Sequence, residues 1–258
     1  MIKGFGLHTG VFSEVHFHPA EGPVRFRLNK TEIEARVNNV VSTERCTVLG
    51  KDGKTLAVVE HLLAALHVLG WWQNLLIEVS DRELPILDGS AQDWLEPLSQ
   101  LGKPPQPPDA FVLKEPLDVN LDSSRLRASP GKAQLKVAIN FDHPMIGEQQ
   151  WSGLPEQYPE VLAARTFGFL HELEYLRSKG LASQASLENA IVFDEKGALQ
   201  ALRFDNEPVR HKALDALGDL YLFGQPLSAS LTIERGSHHL HVAFVKHLAT
   251  LLESHETP

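Results

Sequence analysis

Apolar and polar positions alternate with a period of two over Val11, Val15 and Phe17, and again over Val24, Phe26 and Leu28. That is the pattern of strands burying one face. Val40 to Leu49, with Thr43, Thr47 and Val48, reads as another extended piece, and Gly50-Lys51-Asp52-Gly53-Lys54 as a turn. From Val58 the period lengthens: Leu62, Leu63, Leu66 and Leu69 recur at helical spacing, and Gly70 supplies the stop. A strand over Leu75–Val79 follows, then the loop Leu84-Pro85-Ile86-Leu87-Asp88-Gly89-Ser90 leading into a helix over Ala91–Leu101. Ahead of Val11 the stretch Gly4-Phe5-Gly6-Leu7-His8-Thr9-Gly10 is glycine-rich, with no complete strand before it.

Lys103-Pro104-Pro105-Gln106-Pro107-Pro108-Asp109-Ala110 is the one stiff proline-rich segment. It reads as a linker (103–110) between an N-terminal domain (1–102) and a C-terminal domain (111–258). Beyond it the order repeats at low resolution, with strands near Phe111–Leu117 and Leu135–Phe141. A helix over His171–Ser178 stopped by Gly180, a strand Ala190–Phe193, a helix Val209–Leu220, a strand Leu227–Glu234 and a final helix from Leu240 to about Glu253 follow. Self-similarity between the halves is too faint to count as a sequence repeat. Strands followed by helices in each half argue for an α+β fold rather than a doubly wound sheet.

Composition narrows the function. The formal net charge is −9 with no basic run, which argues against a nucleic-acid partner. Cys46 is the sole cysteine, so no intrachain disulfide forms, and a reducing cytoplasm is the expected compartment. No apolar run reaches the roughly 20 residues of a membrane span. The start lacks the apolar core of a signal peptide.

The chemistry sits on two helices. On Val209–Leu220, His211, Asp215 and Asp219 follow one another at i, i+4, each step turning about 40°, so one imidazole and two carboxylates share a face. An imidazole and a carboxylate one turn apart can grip a zinc ion given a third ligand, though such pairs also occur as surface or capping pairs. Glu60-His61, beside the apolar face of Leu62, Leu63 and Leu66, is the candidate for that ligand, with a neighbouring base. The same pair also reads as an ordinary helix-start charge pair.

Five blocks, in order, resemble the UDP-3-O-acyl-N-acetylglucosamine deacetylase family. They are Gly4–Gly10, Val59-Glu60-His61-Leu62, Leu84–Ala91, Ala164-Arg165-Thr166-Phe167-Gly168-Phe169 and Val209–Leu220, and they span nearly the whole chain. The resemblance implies a zinc amidase of lipid A biosynthesis with two similar α+β domains packed face to face and the active site in the cleft. It implies one catalytic zinc held by His61, His211 and Asp215, with Glu60 as general base. Thr166 would help hold the oxyanion, Phe167 would line the sugar site and Lys212 would bind substrate. His238, following Arg235-Gly236-Ser237, matches the second catalytic histidine, oriented by Asp219. The partner implied is an acylated UDP-amino-sugar, handled by a cytoplasmic protein that is expected to be monomeric.

The family has a further strand ahead of the first block, whereas only Met1-Ile2-Lys3 precede it here, which leaves the edge of the first sheet open. Its Lys-Ser-Gly-His block reads Arg235-Gly236-Ser237-His238, and an arginine there would hold a phosphate as a planar fork rather than a point charge. His239 and His241 crowd the same turn and read as surface or packing histidines, as do His8, His16, His18, His67 and His171. Cys46, like Phe5 to Leu7, reads as lining substrate or packing rather than reacting. Residues 180–193 fall where the family inserts a unit enclosing the acyl chain, although an ordinary loop into a core strand has the same pattern, and acyl length is not legible. Two rival functions share the motifs: a zinc amidase for a related acylated amino-sugar nucleotide, and a non-catalytic nucleotide-sugar binder. A binder has no need of a general base.

Overall fold

The computed structural model describes the backbone of residues 1–256 and the side chains as far as Glu253. The first half runs β1 (Ile2–Phe5), β2 (Phe12–Pro23), β3 (Arg25–Leu28), β4 (Thr31–Glu34), β5 (Val40–Ser42), β6 (Val48–Lys51), β7 (Lys54–Ala57), α1 (Glu60–Leu69), β8 (Gln73–Val79) and α2 (Leu95–Ser99). The second runs β9 (Phe111–Val112), β10 (Leu117–Leu121), β11 (Ser124–Pro130), β12 (Gln134–Phe141), β13 (Gly147–Gly153), β14 (Phe167–Phe169), α3 (Leu173–Ser178), β15 (Ile191–Phe193), α4 (Glu207–Tyr221), β16 (Leu227–Glu234) and α5 (His238–Glu256). Residues 103–110 carry no regular structure between α2 and β9.

The two main sheets have the same wiring. The first is ordered β1-β2-β8-β3-β4 and the second β10-β11-β16-β12-β13, with β9 added on β16. In each, the late strand (β8 or β16) enters the middle, antiparallel to one neighbour and parallel to the other. A parallel joint needs a crossover, and a helix lies immediately before each late strand, α1 before β8 and α4 before β16. Each half also carries a small sheet just before that helix, β5-β6-β7 in the first and β14-β15 in the second. The repeat faint in the sequence is therefore plain in the topology, because alternation of apolar residues constrains strand faces without constraining residue identity.

Several elements differ from the sequence reading. A four-residue strand does form at the start, β1, because Ile2–Phe5 pair antiparallel with Phe12–Val15 across the glycine-rich turn. Val40–Leu49 is not one extended piece: it is two strands, β5 and β6, separated by a loop, and β6 forms a hairpin with the unforeseen β7. The helix expected over Ala91–Leu101 shrinks to a 3-10 turn and the five residues of α2, since Pro97 removes a backbone donor. β11 and β13, whose apolar residues are sparse, had no counterpart in the reading. Among the described residues no helix is long and apolar enough to cross a membrane.

α1 packs on α4, and this contact positions the site. Leu62, Leu63 and Leu66 of α1 and Leu214 and Leu217 of α4 are fully or almost fully buried in one hydrophobic cluster running through both halves. Burying a leucine side chain is worth about 1.5–3 kcal/mol, so five of them lock the two helices against sliding. α4 is enclosed nearly all round: its polar His211, Asp215 and Asp219 are buried too, and so is Glu207, whose carboxylate takes the guanidinium of Arg165 at 2.9 Å. Buried polar groups of that kind need partners, and those partners form the site.

Candidate active site

α1 begins abruptly. Val58, two residues before Glu60, has φ +60°, a left-handed conformation that β-branched residues rarely adopt. It is held there by burial against Cys46 and Ile86. The kink turns the chain from β7 into α1, so that Glu60 and His61 leave the first turn already buried.

Three donor atoms converge between α1 and α4. Asp215 Oδ1 lies 3.3 Å from His211 Nε2 and 3.9 Å from His61 Nε2, and the two imidazole rings stand nearly perpendicular, at 86°. All three residues are buried. The second contacts settle which atoms point inward. His211 Nδ1–H donates to the Ala164 carbonyl at 3.1 Å, leaving the Nε2 lone pair for the centre. Lys212 Nζ donates to Asp215 Oδ2 at 2.7 Å, leaving Oδ1 for the imidazoles. Burial pushes the His61 imidazolium down to about 3, reinforced by His211, and lowers His211 as well, so both rings are neutral. Burial alone would raise Asp215, but His211 and Lys212 overcome it and hold the carboxylate well below its usual range. Two neutral imidazoles and one carboxylate, with their donor atoms within 4.8 Å of one another, fit a divalent cation that draws each to about 2.0–2.2 Å.

Beside this cluster stand two further titratable groups, Glu60 and His238. The backbone N–H of Thr47 donates to Glu60 Oε2 at 3.1 Å, while Glu60 Oε1 lies 4.0 Å from His238 Nε2. Burial, with Asp215 and Asp219 nearby, raises Glu60 to about 7 against the pull of His238. His238 is the first residue of α5, and its Nδ1–H donates to Asp219 Oδ2 at 2.8 Å. Burial would lower His238; Asp219, through charge and hydrogen bond, and then Glu60 and Asp215 outweigh it and raise the ring to about 9. Asp219 in turn is held down at about 2, its burial overcome by His238 and by hydrogen bonds from two imidazoles. Two titratable groups side by side thus have opposite preferences, the arrangement that separates a base from an acid.

The His61–His211–Asp215 cluster, Lys212, Glu60 and His238 open onto one cavity of about 410 Å³. These side chains form a polar part of its lining, with Thr166 and Phe167 on the wall. Thr166 is fixed between the halves: its N–H donates to Gly89 O at 2.7 Å and its carbonyl accepts from Ile191 N–H at 2.8 Å. The lining also has an apolar part, with Phe169, Leu173 and Leu176 and the small Ala182 and Ala185 from the segment 180–193, beside the Arg45–Glu172 ion pair. Two expected site residues lie outside the cavity lining: Asp219, fully buried behind His238, and Arg235, whose side chain is exposed at a backbone φ of +51°.

The histidines divide. His239 and His18 are exposed, His16 lies half-buried along β2, and His67 packs among Trp72, Tyr158 and Tyr221 with its Nδ1 on the Leu217 carbonyl at 2.9 Å. His171 stacks on Phe169, at a centroid separation of 5.6 Å. His8 departs from the packing expectation by lining the cavity. Glu83, fully buried, holds the loop carrying His8 by accepting the N–H groups of His8 and Thr9 at 2.7 Å each. His241 departs from it too, since it is fully buried on Asp219. Thr47 and Glu83 escaped the sequence reading because each acts across a long chain separation, 172 residues in the contact from Thr47 to Asp219 and 75 in that from His8 to Glu83. Cys46 is buried, and burial, with Glu60 nearby, raises its thiol well above the usual range.

A family model described as UDP-3-O-acyl N-acetylglycosamine deacetylase matches residues 1–250. Three relatives bear the name UDP-3-O-acyl-N-acetylglucosamine deacetylase. The one from Thermosynechococcus vestitus is 40% identical over 96% of this chain and 90% of its own length. The one from Nitratiruptor sp. is 42% identical over 95% and 86%, and the one from Wolinella succinogenes 41% over 99% and 89%.

Proposed function

The chain belongs to the UDP-3-O-acyl N-acetylglycosamine deacetylase family, and from that premise we propose that it removes the N-acetyl group of a UDP-3-O-acyl-N-acetylglucosamine, a step of lipid A biosynthesis, using one zinc ion. The observation that carries the reading is the convergence of the His61–His211–Asp215 cluster, Glu60 and His238 on one cavity that is also lined by apolar side chains. His61, His211 and Asp215 are the residues that would hold the metal. When bound, zinc supplies Lewis-acid chemistry, acidifying a water and polarising the acetamide carbonyl.

The protein's own groups do the rest. Glu60 takes a proton from the attacking water through Oε1, because the Thr47 N–H already occupies Oε2. Oxygen adds to the carbonyl carbon, and the negative charge on the former carbonyl oxygen is met by the Thr166 hydroxyl, an oxyanion donor on a wall that two backbone bonds keep still. The C–N bond breaks as His238 Nε2–H gives its proton to the leaving nitrogen, with Asp219 holding the other ring nitrogen. Acetate and the free 2-amino sugar nucleotide result. Phe167 lines the sugar site, Lys212 contributes a cation at its edge, and the apolar part with Ala182 and Ala185 takes the 3-O-acyl chain. Every group named comes from a single chain, so a monomer suffices, and the reaction is assigned to the cytoplasm.

The experiment is acetate release from 3-O-acylated and non-acylated UDP-N-acetylglucosamine by purified protein, with metal content measured on the same sample. One zinc per chain with turnover of the acylated substrate is expected. A metal-free, inactive protein that still binds nucleotide sugar would overturn the reading in favour of a binder, and preference for a different acylated amino sugar would move the substrate.

A further inference from the structure

Asp219 is a carboxylate with three donors and no solvent. Its Oδ2 accepts from Nδ1 of His238 and from Nδ1 of His241, both at 2.8 Å, and its Oδ1 accepts from Thr47 Oγ1–H at 2.5 Å. Asp219, His241 and Thr47 are all fully buried. His238 alone would leave one oxygen of a dry carboxylate unpaired and the carboxyl group free to turn about its last bond. We infer that His241 and Thr47 are positioning residues for the reaction, clamping Asp219 from two sides so that its remaining lone pair meets His238 in one orientation.

The geometry argues that hydrogen bonding, and not volume, put a histidine at 241. Asp219 only accepts, so Nδ1 of His241 must carry the proton, and its Nε2 is then an acceptor in the neutral ring. That Nε2 is buried with no partner among the described residues, an arrangement that costs stability and that an apolar side chain of similar size would avoid. The ring is also kept from retreating: a Cβ on Gly236 would lie 2.6 Å from Nε2, so glycine is what lets the imidazole seat. Burial lowers the His241 imidazolium, opposed by Asp219, so the clamp adds a donor without placing a second cation on the same oxygen. His238 and His241 are i, i+3 on the first turn of α5, which brings both rings to one oxygen. Thr47 has a second hold on the chemistry, because its N–H binds Glu60 Oε2 while its hydroxyl binds Asp219. One residue of the β5–β6 loop thereby sets the distance between base and acid.

The inference rests on the reading of His238 as proton donor, and the test separates the two. Zinc-loaded His241→Leu, His241→Asn, Thr47→Val, Thr47→Ser and His238→Gln are assayed for kcat, KM and metal content. His241→Leu and Thr47→Val should lose about 10- to 100-fold in kcat, the scale of a buried hydrogen bond to a charge, with KM and metal unchanged. His241→Asn, whose amide N–H sits the same number of bonds from the backbone as Nδ1, and Thr47→Ser should recover most of that loss. A packing role predicts the reverse order at 241, since leucine nearly fills the space and asparagine leaves a void. Wild-type kcat in His241→Leu with an inactive His238→Gln overturns the clamp alone; wild-type kcat in His238→Gln overturns the reading beneath it. Should the leucine variant fail to fold, nitrogen-resolved NMR of the unaltered protein decides. Both His238 and His241 must carry the proton on Nδ1, and a proton on Nε2 of His241 refutes the clamp.

Discussion

Gly218 of α4 lies directly against the backbone of Glu60: a Cβ at position 218 would come within 2.0 Å of the Glu60 carbonyl oxygen and 2.8 Å of its carbonyl carbon. A mid-helix glycine costs about 1 kcal/mol relative to alanine, so its presence between Asp215 and Asp219 reflects the crossing and not helix propensity. The obstruction is main chain, which cannot rotate away. Gly218→Ala should therefore push α1 from α4, destabilise the fold by about 1–3 kcal/mol despite the better propensity, and weaken metal binding by separating His61 from His211 and Asp215. Denaturant melts and a zinc titration measure both; a more stable variant with unchanged metal affinity would refute the close-crossing argument.

Glu60→Gln keeps the shape of the side chain and loses its ability to accept a proton. Turnover should fall by about 10²–10⁴-fold while zinc content stays at the wild-type level. If zinc leaves with the activity, Glu60 belongs among the ligands or the structural residues.

The pH profile should be a bell. Glu60, raised to about 7, must be ionised to act, so activity rises with pH through its titration; His238, raised to about 9, must be protonated, so activity falls as pH climbs through its own. A bound cation lowers both, placing each limb at or below those values. His238→Gln should lower kcat and remove the alkaline limb, and Asp219→Asn should move that limb to lower pH, because the carboxylate is what favours the charged ring. His239→Gln should leave the profile intact, as His239 is exposed. Loss of the limb in His239→Gln would show the register at this turn to be wrong.

Each proposed metal ligand would supply a third of the protein shell. His211→Ala and Asp215→Ala should each lower zinc affinity, and a chelator should abolish wild-type activity, with zinc restoring it. Asp215→Ala also leaves the Lys212 ammonium without its 2.7 Å partner, so it should lose more stability than His211→Ala. Unchanged zinc content in both variants would overturn the ligand assignment.

His67 gives a stability test away from the cavity. Burial drops its imidazolium to about 4, against 6.5 for an unperturbed ring. Between those values the unfolded chain binds the proton and the folded chain does not, so the contribution of this ring is complete above pH 6.5 and is lost as pH falls toward 4, at no more than about 1.4 kcal/mol per unit. Denaturant unfolding of wild type and His67→Phe across that window should show a shallower acid slope in the variant. Parallel slopes would mean that His67 titrates normally.

What the sequence determined by itself was local and chemical. The i, i+4 steps through His211, Asp215 and Asp219 need only helical geometry, and the apolar spacing of α1 needs only a buried face, so both helices and their shared polar edges were legible, as was the family resemblance carried by five short blocks. The tertiary structure decided whatever depends on residues remote in the chain. It brought His61 to His211, set Thr47 between Glu60 and Asp219, turned His241 from a supposed packing residue into a donor to that carboxylate, and left Arg235 outside the cavity. It also revealed that the two sheets share one strand order, which alternating apolar residues cannot encode. The reason is common to all of these. Periodicity reports which face of an element is buried, whereas a partner across the core is chosen by how helices cross and strands insert, and nothing in the neighbouring sequence records that choice.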